Sequence, residues 1–251
     1  MSGHSHWSTI RRKKGAADAR RGKIFTRLAR EIMIAAREGG NDPGMNVRLE
    51  LAIDKAKAAN MPKDSIERAI KRGTGEDKEG ADFEEIMYEG YASNGVALMI
   101  ECVTENRNRT VAELRHFLSR SGGSLADPGS VVWQFDRMTY FALPSEEHDF
   151  DAIFEIAVEA GADDITQDDD IIEIFGKPNS FQSIADHLSK ANIKPDESGV
   201  RYIPKQEVSL NVEDTIKVMK TIENIEEIDD VLNIYSNLDI SEEAIAAMEE
   251  E

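Results

Sequence analysis

Between residues 131 and 204 the hydrophobic patterns run strand, helix, strand, strand, helix, strand, and few architectures can absorb that order. Val131–Phe135 and Thr139–Leu143 read as strand segments, Asp151–Ala160 as a helix and Ile165–Ile174 as a strand and hairpin. A helix over Phe181–Ala191 and a strand over Val200–Pro204 complete the series. A β-α-β-β-α-β string buries both helices against one antiparallel sheet in the split βαβ, ferredoxin-like arrangement.

The flanks of this block belong together. Before it, Glu84–Ala92 reads as a strand, Ser93-Asn94-Gly95 as a turn and Val96–Val103 as a second, largely apolar strand. A helix follows, with Val111, Leu114, Phe117 and Leu118 turned inward and Gly122-Gly123 closing it. Alone this makes two strands and one helix. The tail supplies a helix over Val212–Ile222 and a strand over Asp230–Tyr235, which would complete the set, with Glu249-Glu250-Glu251 a frayed end. The expected domains are therefore 80–133 joined to 209–240, with 134–208 inserted between them.

Ahead of both lies a helical, basic domain, 1–75. Residues 1–15 are polar and lack apolar periodicity, which predicts a flexible arm. A helix is expected from about Asp18 to Glu38, because Phe25, Ala29, Ile32 and Ala36 form one apolar stripe and Gly39-Gly40 stops it. A second is expected over Asn46–Ala59, capped by Asn46, with Val47, Leu51, Ile53 and Ala56 inward. A third, Lys63–Arg72, would bury Ile66 and Ile70 and end at Gly73. Gly75–Asp82 is glycine-bearing and acidic, a linker. The fold class is thus α+β, with three domains: an N-terminal helical bundle followed by two α/β domains, the third, ferredoxin-like, inserted into the second.

Charge is divided along the same boundary. The chain carries a net −19, yet residues 1–75 hold 17 Lys and Arg against 8 acids, and residues 76–251 hold 13 against 41. A +9 head on a −28 body points to a polyanion-binding end, because the body repels nucleic acid everywhere else. A merely solvated acidic surface would look the same in composition. The single cysteine, Cys102, excludes an internal disulfide and lies in an apolar run, as a buried small hydrophobe would. No apolar run is long enough to cross a bilayer. Nothing in the sequence demands more than a monomer.

Enzyme signatures fail on spacing. Six residues separate Gly15 from Gly22 where a P-loop needs four, and Ile24 stands where its Ser/Thr belongs. Asp168-Asp169-Asp170 reads as a polar turn, and His4 with His6 offers two metal ligands where three or four are needed. No nucleophile–base pair is visible, so neither catalytic residues nor cofactor nor metal are expected.

Two basic features point to nucleic acid. The first comprises Arg11, Arg12, Lys13 and Lys14 on the arm, then Arg20, Arg21, Lys23, Arg27 and Arg30 on the helix. Arg20, Lys23, Arg27, Arg30 and Arg37 recur at steps of 3, 4, 3 and 7 on a face separate from the apolar stripe. That row covers about 25 Å at helical rise, enough to meet several phosphates. Trp7 on the arm could stack on a base or wedge against a helix. The second feature is Asn106, Arg107, Asn108 and Arg109 just before a helix N-terminus, with Arg115 a turn further on. Alternatively, Arg107 and Arg109 pair with local acids such as Glu101, Glu105 or Glu113.

The stretches GHSHWSTIRRKK, RGKIFTRLAREI, NMPKDSIERAIKRGTGE, YEGYASNGVALMIE and ENRNRTVAELRHFLSRSGG resemble the YebC family of bacterial proteins and its relatives, the mitochondrial translational activators of cytochrome c oxidase subunit I. The resemblance runs over the whole chain. Glu105 departs from it, standing where the family usually has Asp, and so does Ser2, in place of Ala. It implies a three-domain, non-enzymatic cytoplasmic protein whose second and third domains are both α/β and ferredoxin-like. The family is named for probable DNA-binding transcriptional regulation. It is also linked to translation on the ribosome, including synthesis through proline-rich stretches. The basic motifs carried over are Arg12 to Lys14, Arg20 to Lys23, Arg27 and Arg30, and Asn106 to Arg109. Two functions follow, a DNA-binding regulator or a ribosome- or tRNA-associated translation factor.

Overall fold

A computed structural model describes residues 19–77, 83–168 and 170–249. Helices and antiparallel sheets make it α+β, with a helical N-terminal part preceding the sheets. It divides into two compact units: residues 32–75 with 137–203, and the described residues before 32 with 76–136 and those from 204 onward.

The first unit opens with the C-terminal half of α1 (Ala19–Gly39), where Ile32 to Ala36 are all buried. Helices α2 (Val47–Ala58) and α3 (Lys63–Gly73) follow, burying Leu49, Leu51, Ala52, Ile53 and Ala56 on α2 and Ile66 and Ala69 on α3. Asn46 caps α2 as its position suggests. Its Oδ1 accepts the Leu49 amide at 3.0 Å, and its Nδ2 donates to the Ala35 carbonyl at 2.8 Å and the Gly40 carbonyl at 3.0 Å. One side chain thereby satisfies a donor orphaned at the start of α2 and acceptors orphaned at the end of α1.

The unit's sheet is built from β4 (Phe135–Pro144), β5 (Ala162–Asp168), β6 (Ile171–Gly176) and β7 (Glu197–Pro204), in the order β5-β6-β4-β7. β6 pairs antiparallel with both β4 and β5. α5 (Phe150–Glu159) and α6 (Phe181–Lys190) bury Ile153, Ala157, Ile184 and Leu188 against Phe141, Leu143, Ile172 and Ile174. This is the ferredoxin-like order that the β-α-β-β-α-β string implied.

In the second unit β1 (Glu84–Tyr91), β2 (Ala97–Thr104), β3 (Ser124–Ala126) and β9 (Val231–Ser236) form a sheet in the order β3-β1-β2-β9, every pair antiparallel. α4 (Arg107–Arg120) links β2 to β3, with β1 lying between those strands, so this sheet also contains a split βαβ. α7 (Val212–Glu226) and α8 (Glu242–Glu249) complete its core around the wholly buried β2. A two-residue parallel pair, β8 (Val208–Ser209) with β10 (Leu238–Asp239), forms a separate small sheet. The chain of the other sheet, 135–204, interrupts this one between β3 and β9.

The structure departs from the sequence reading in four places. Residues 132–134 form a 3-10 turn and not a strand. The buried carboxylate of Glu89 explains this, because it accepts the amides of Gly129 (2.7 Å), Val131 (2.5 Å) and Val132 (2.9 Å), drawing them out of any ladder. The strand beyond runs unbroken through Phe135–Pro144. β3 went unread because it is three residues long, and α8 is a further helix that the expected frayed end, 249–251, meets only at its last residue. Finally, α4 begins at Arg107, so the two arginines lie within its first turn and only Asn106 precedes it.

Candidate nucleic-acid interface

The predicted binding residues fall into three groups. Arg11, Arg12, Lys13 and Lys14, with Trp7, His4 and His6, lie outside the described residues. Arg20, Arg21, Lys23, Arg27 and Arg30 are all on α1. Asn106 is the N-cap of α4, whose first turn carries Arg107, Asn108 and Arg109, and Arg115 is exposed further along the same helix.

The basic row on α1 is not uniform. Arg27 is half-buried, while Arg30 is buried, with a side chain only 9% exposed. Periodicity placed Arg30 with the outward cations; tertiary packing removes it. Its Nη2 meets Asp230 Oδ1 at 2.9 Å, and its guanidinium lies 5.9 Å from the centroid of the Phe83 ring. Among the described residues its Nε and Nη1 have no hydrogen-bond partner. A partly unsatisfied buried guanidinium is costly, and the carboxylate beside it offsets part of that cost.

Asp230 is where the first turn of α4 and the last part of β2 also converge. It lies immediately before β9, at a register shift where Glu101 and Cys102 of β2 face Asn233 and Val231. Its carbonyl accepts the Val103 amide at 2.8 Å, which fixes the backbone. Arg109 Nη2 donates to both carboxylate oxygens, at 2.8 and 2.9 Å. The hydroxyls of Thr110 and Thr104 donate to Oδ2 at 2.7 and 3.0 Å, and Thr104 Oγ1 accepts the Asn106 amide at 2.9 Å. Asn106 Oδ1 in turn accepts the Arg109 amide at 3.2 Å. Two guanidiniums and two hydroxyls thus share one carboxylate that is itself 1% exposed.

Burial works to raise the Asp230 pKa, but the hydrogen bonds from Arg109, Thr110 and Thr104 and the charge of Arg30 outweigh it. The carboxyl titrates below the ordinary aspartate range. The hydrogen bond and charge of Asp230 push Arg109 upward from its own ordinary value. The Cys102 thiol is raised chiefly by burial, and further by the negative charges of Asp230 and Glu101, so it is a poor nucleophile.

The arginines of the Asn106–Arg109 segment do pair with acids, though not with the local ones. Arg107 Nε lies 2.5 Å from Glu84 Oε2 on β1, and Arg109 uses Asp230. Both remain at least half exposed, at 64% and 51% of the side chain. Sequence reasoning missed Asp230, Thr104 and Phe83. No spacing could have found Asp230, which lies 121 positions from Arg109 and 200 from Arg30.

No cluster of His, Cys, Asp and Glu among the described residues could hold a metal ion, and none of their helices is long and apolar enough to cross a membrane.

A helical N-terminal part followed by two ferredoxin-like sheets, one chain segment set inside the other, defines a narrow class of α+β protein. Two family models match: the TACO1/YebC protein N-terminal domain over residues 5–76, and the TACO1/YebC second and third domain over residues 83–238. The chain belongs to the TACO1/YebC family. A probable transcriptional regulatory protein of Acidithiobacillus ferrooxidans is 50% identical over 249 residues, 99% of each chain. One from Geobacter sulfurreducens is 49% identical over 243 residues, 97% of this chain and 98% of its own. The crystal structure of a conserved hypothetical protein from Aquifex aeolicus, 40% identical, superposes with a TM-score of 0.79 over 90% of this chain and 93% of that one.

Proposed function

We propose that this protein is a non-enzymatic regulator of gene expression that binds nucleic acid through the phosphate backbone. Arg11 to Lys14, Arg20, Arg21, Lys23 and Arg27 are the principal contacts, and Arg107 and Arg109 in the first turn of α4, with Arg115 further along it, are a secondary set. The observation that carries this reading is the division of charge, a +9 head on a body of −28. Such a molecule is attracted to a polyanion at one end and repelled elsewhere, which orients the encounter. DNA is the target in this proposal, in keeping with relatives called probable transcriptional regulatory proteins.

The test is binding of the purified protein to a DNA duplex and to ribosomes across a salt series. Replacing Arg11, Arg12, Lys13 and Lys14 by Gln lowers the slope of log K against log salt by about 3, at 0.7–0.9 for each phosphate no longer neutralised. A slope unchanged by that replacement refutes the role of the arm. Binding to ribosomes that exceeds binding to the duplex moves the target to RNA and the function to translation.

A further inference from the structure

The outward face of α5 is out of keeping with a helix that meets only water there. Of its ten residues, FDAIFEIAVE, seven are apolar and the other three are Asp151, Glu155 and Glu159. Ile153 and Ala157 account for the inward face, packed into the core with half-buried Ile156. Phe154 and Val158, one turn apart, remain 46% and 50% exposed. The Phe154 ring lies 6.1 Å from that of Phe150, which packs against the core and braces it from one side. A helix with apolar side chains on opposite faces is ordinarily covered on both. The acids give the sign of the cover. Asp151, Glu155 and Glu159 are exposed and recur at steps of four, so like charges adjoin along the helix, and Glu159 stands at the C-terminal end, where the helix dipole disfavours an anion. Residues 145–176 contain twelve Asp and Glu and no Lys or Arg. The edge strand β5, against which α5 packs, adds exposed Asp163 and Asp164. Each of these features weakens the helix by itself, and each is relieved by an apolar surface carrying positive charge. A nucleic acid or an anionic membrane is repelled by the same charges.

We propose that the outer face of α5 is a docking surface for a cationic protein segment. That partner presents Lys or Arg side chains to Asp151, Glu155 and Glu159, and an apolar side chain to Phe154 and Val158. The apolar pair is the anchor, while the acids steer the encounter and reject acidic partners. The face belongs to the unit of residues 32–75 and 137–203, whereas Arg27, Arg107, Arg109 and Arg115 belong to the other. The docking surface therefore uses none of the proposed nucleic-acid contacts and does not depend on that reading.

The experiment titrates the full chain into two labelled synthetic peptides of equal length and charge, one repeating Leu-Lys-Lys and the other Ser-Lys-Lys, and follows fluorescence anisotropy. Wild type binds the leucine peptide about tenfold more tightly than the serine peptide, the scale of one well-placed anchor. Phe154→Ser with Val158→Ser abolishes that preference and leaves the affinity for the serine peptide unchanged. Glu155→Gln with Glu159→Gln weakens both peptides and flattens the salt dependence. Glu242→Gln with Glu243→Gln, which removes the same charge from exposed positions in the other unit, changes neither. Equal affinity of wild type for the two peptides overturns the proposal, and so does a preference that survives Phe154→Ser with Val158→Ser. Should that variant lose its fold by circular dichroism, an undiminished leucine-peptide affinity in Glu155→Gln with Glu159→Gln overturns it instead. Sedimentation that shows self-association of wild type, reversed by Phe154→Ser, makes the occupant a second copy of the chain and overturns the assignment to a separate partner.

Discussion

Replacing Asp230 with Ala tests the reasoning about the cluster most directly. The substitution removes the acceptor of two guanidiniums and two hydroxyls, but the consequences are unequal. Arg109 is half exposed and regains water, so its share is at most about 1 kcal/mol. Arg30 is 9% exposed and cannot, so it becomes an unpaired buried cation; breaking such a pair from one side costs about 3–5 kcal/mol. The Phe83 ring at 5.9 Å stays in place and recovers only about 0.5–1 kcal/mol. The expected destabilisation is therefore about 3–4 kcal/mol, dominated by Arg30. Urea unfolding read from Trp133, in a Trp7→Phe background that leaves it the only indole, follows the unit concerned. The pH dependence provides a second reading. Because Asp230 titrates below its ordinary value in the folded state, its stabilisation is present above the unfolded pKa of about 3.9 and is lost as pH falls through the lower folded pKa. Asp230→Ala removes that acid-sensitive component. Arg30→Met with Asp230→Ala costs less than Asp230→Ala alone, since no charge is stranded. A loss below about 1 kcal/mol for Asp230→Ala, or an additive double variant, refutes the buried-pair account.

Two further substitutions probe the first unit by urea or thermal unfolding. Asn46→Ala deletes the α2 cap together with the bonds to Ala35 and Gly40, and lowers stability by about 2 kcal/mol, while Asn46→Asp, which keeps the capping acceptor but sets a carboxylate oxygen against those two carbonyls, loses at least as much. Gly73→Ala brings a methyl to 2.4 Å from the Met33 carbonyl and 2.9 Å from Ala36 Cβ, so α1 and α3 must separate and stability falls by about 1–3 kcal/mol; no change would mean the helices are not in van der Waals contact there.

Local signals carried most of the fold. The alternation over 131–204 named the ferredoxin-like sheet, and Asn46 and the paired glycines marked helix ends, because caps, turns and periodicity act over a few residues and are written within them. Where those readings failed, a distant group had intervened. Residues 131–134 have strand composition, yet the Glu89 carboxylate, some forty positions away, takes the amides of Val131 and Val132. The cationic row of α1 is equally plain in the sequence as spacing, and so is the segregation of charge between residues 1–75 and the rest of the chain. What tertiary structure alone decided is the part each cation plays. Arg30 belongs to that helical row, but it is drawn to Asp230, 200 positions downstream, where its charge is spent on an internal partner. Helical periodicity fixes the direction in which a side chain leaves its helix. It holds no information on whether solvent or a buried carboxylate lies in that direction, and that difference separates a binding contact from a structural one.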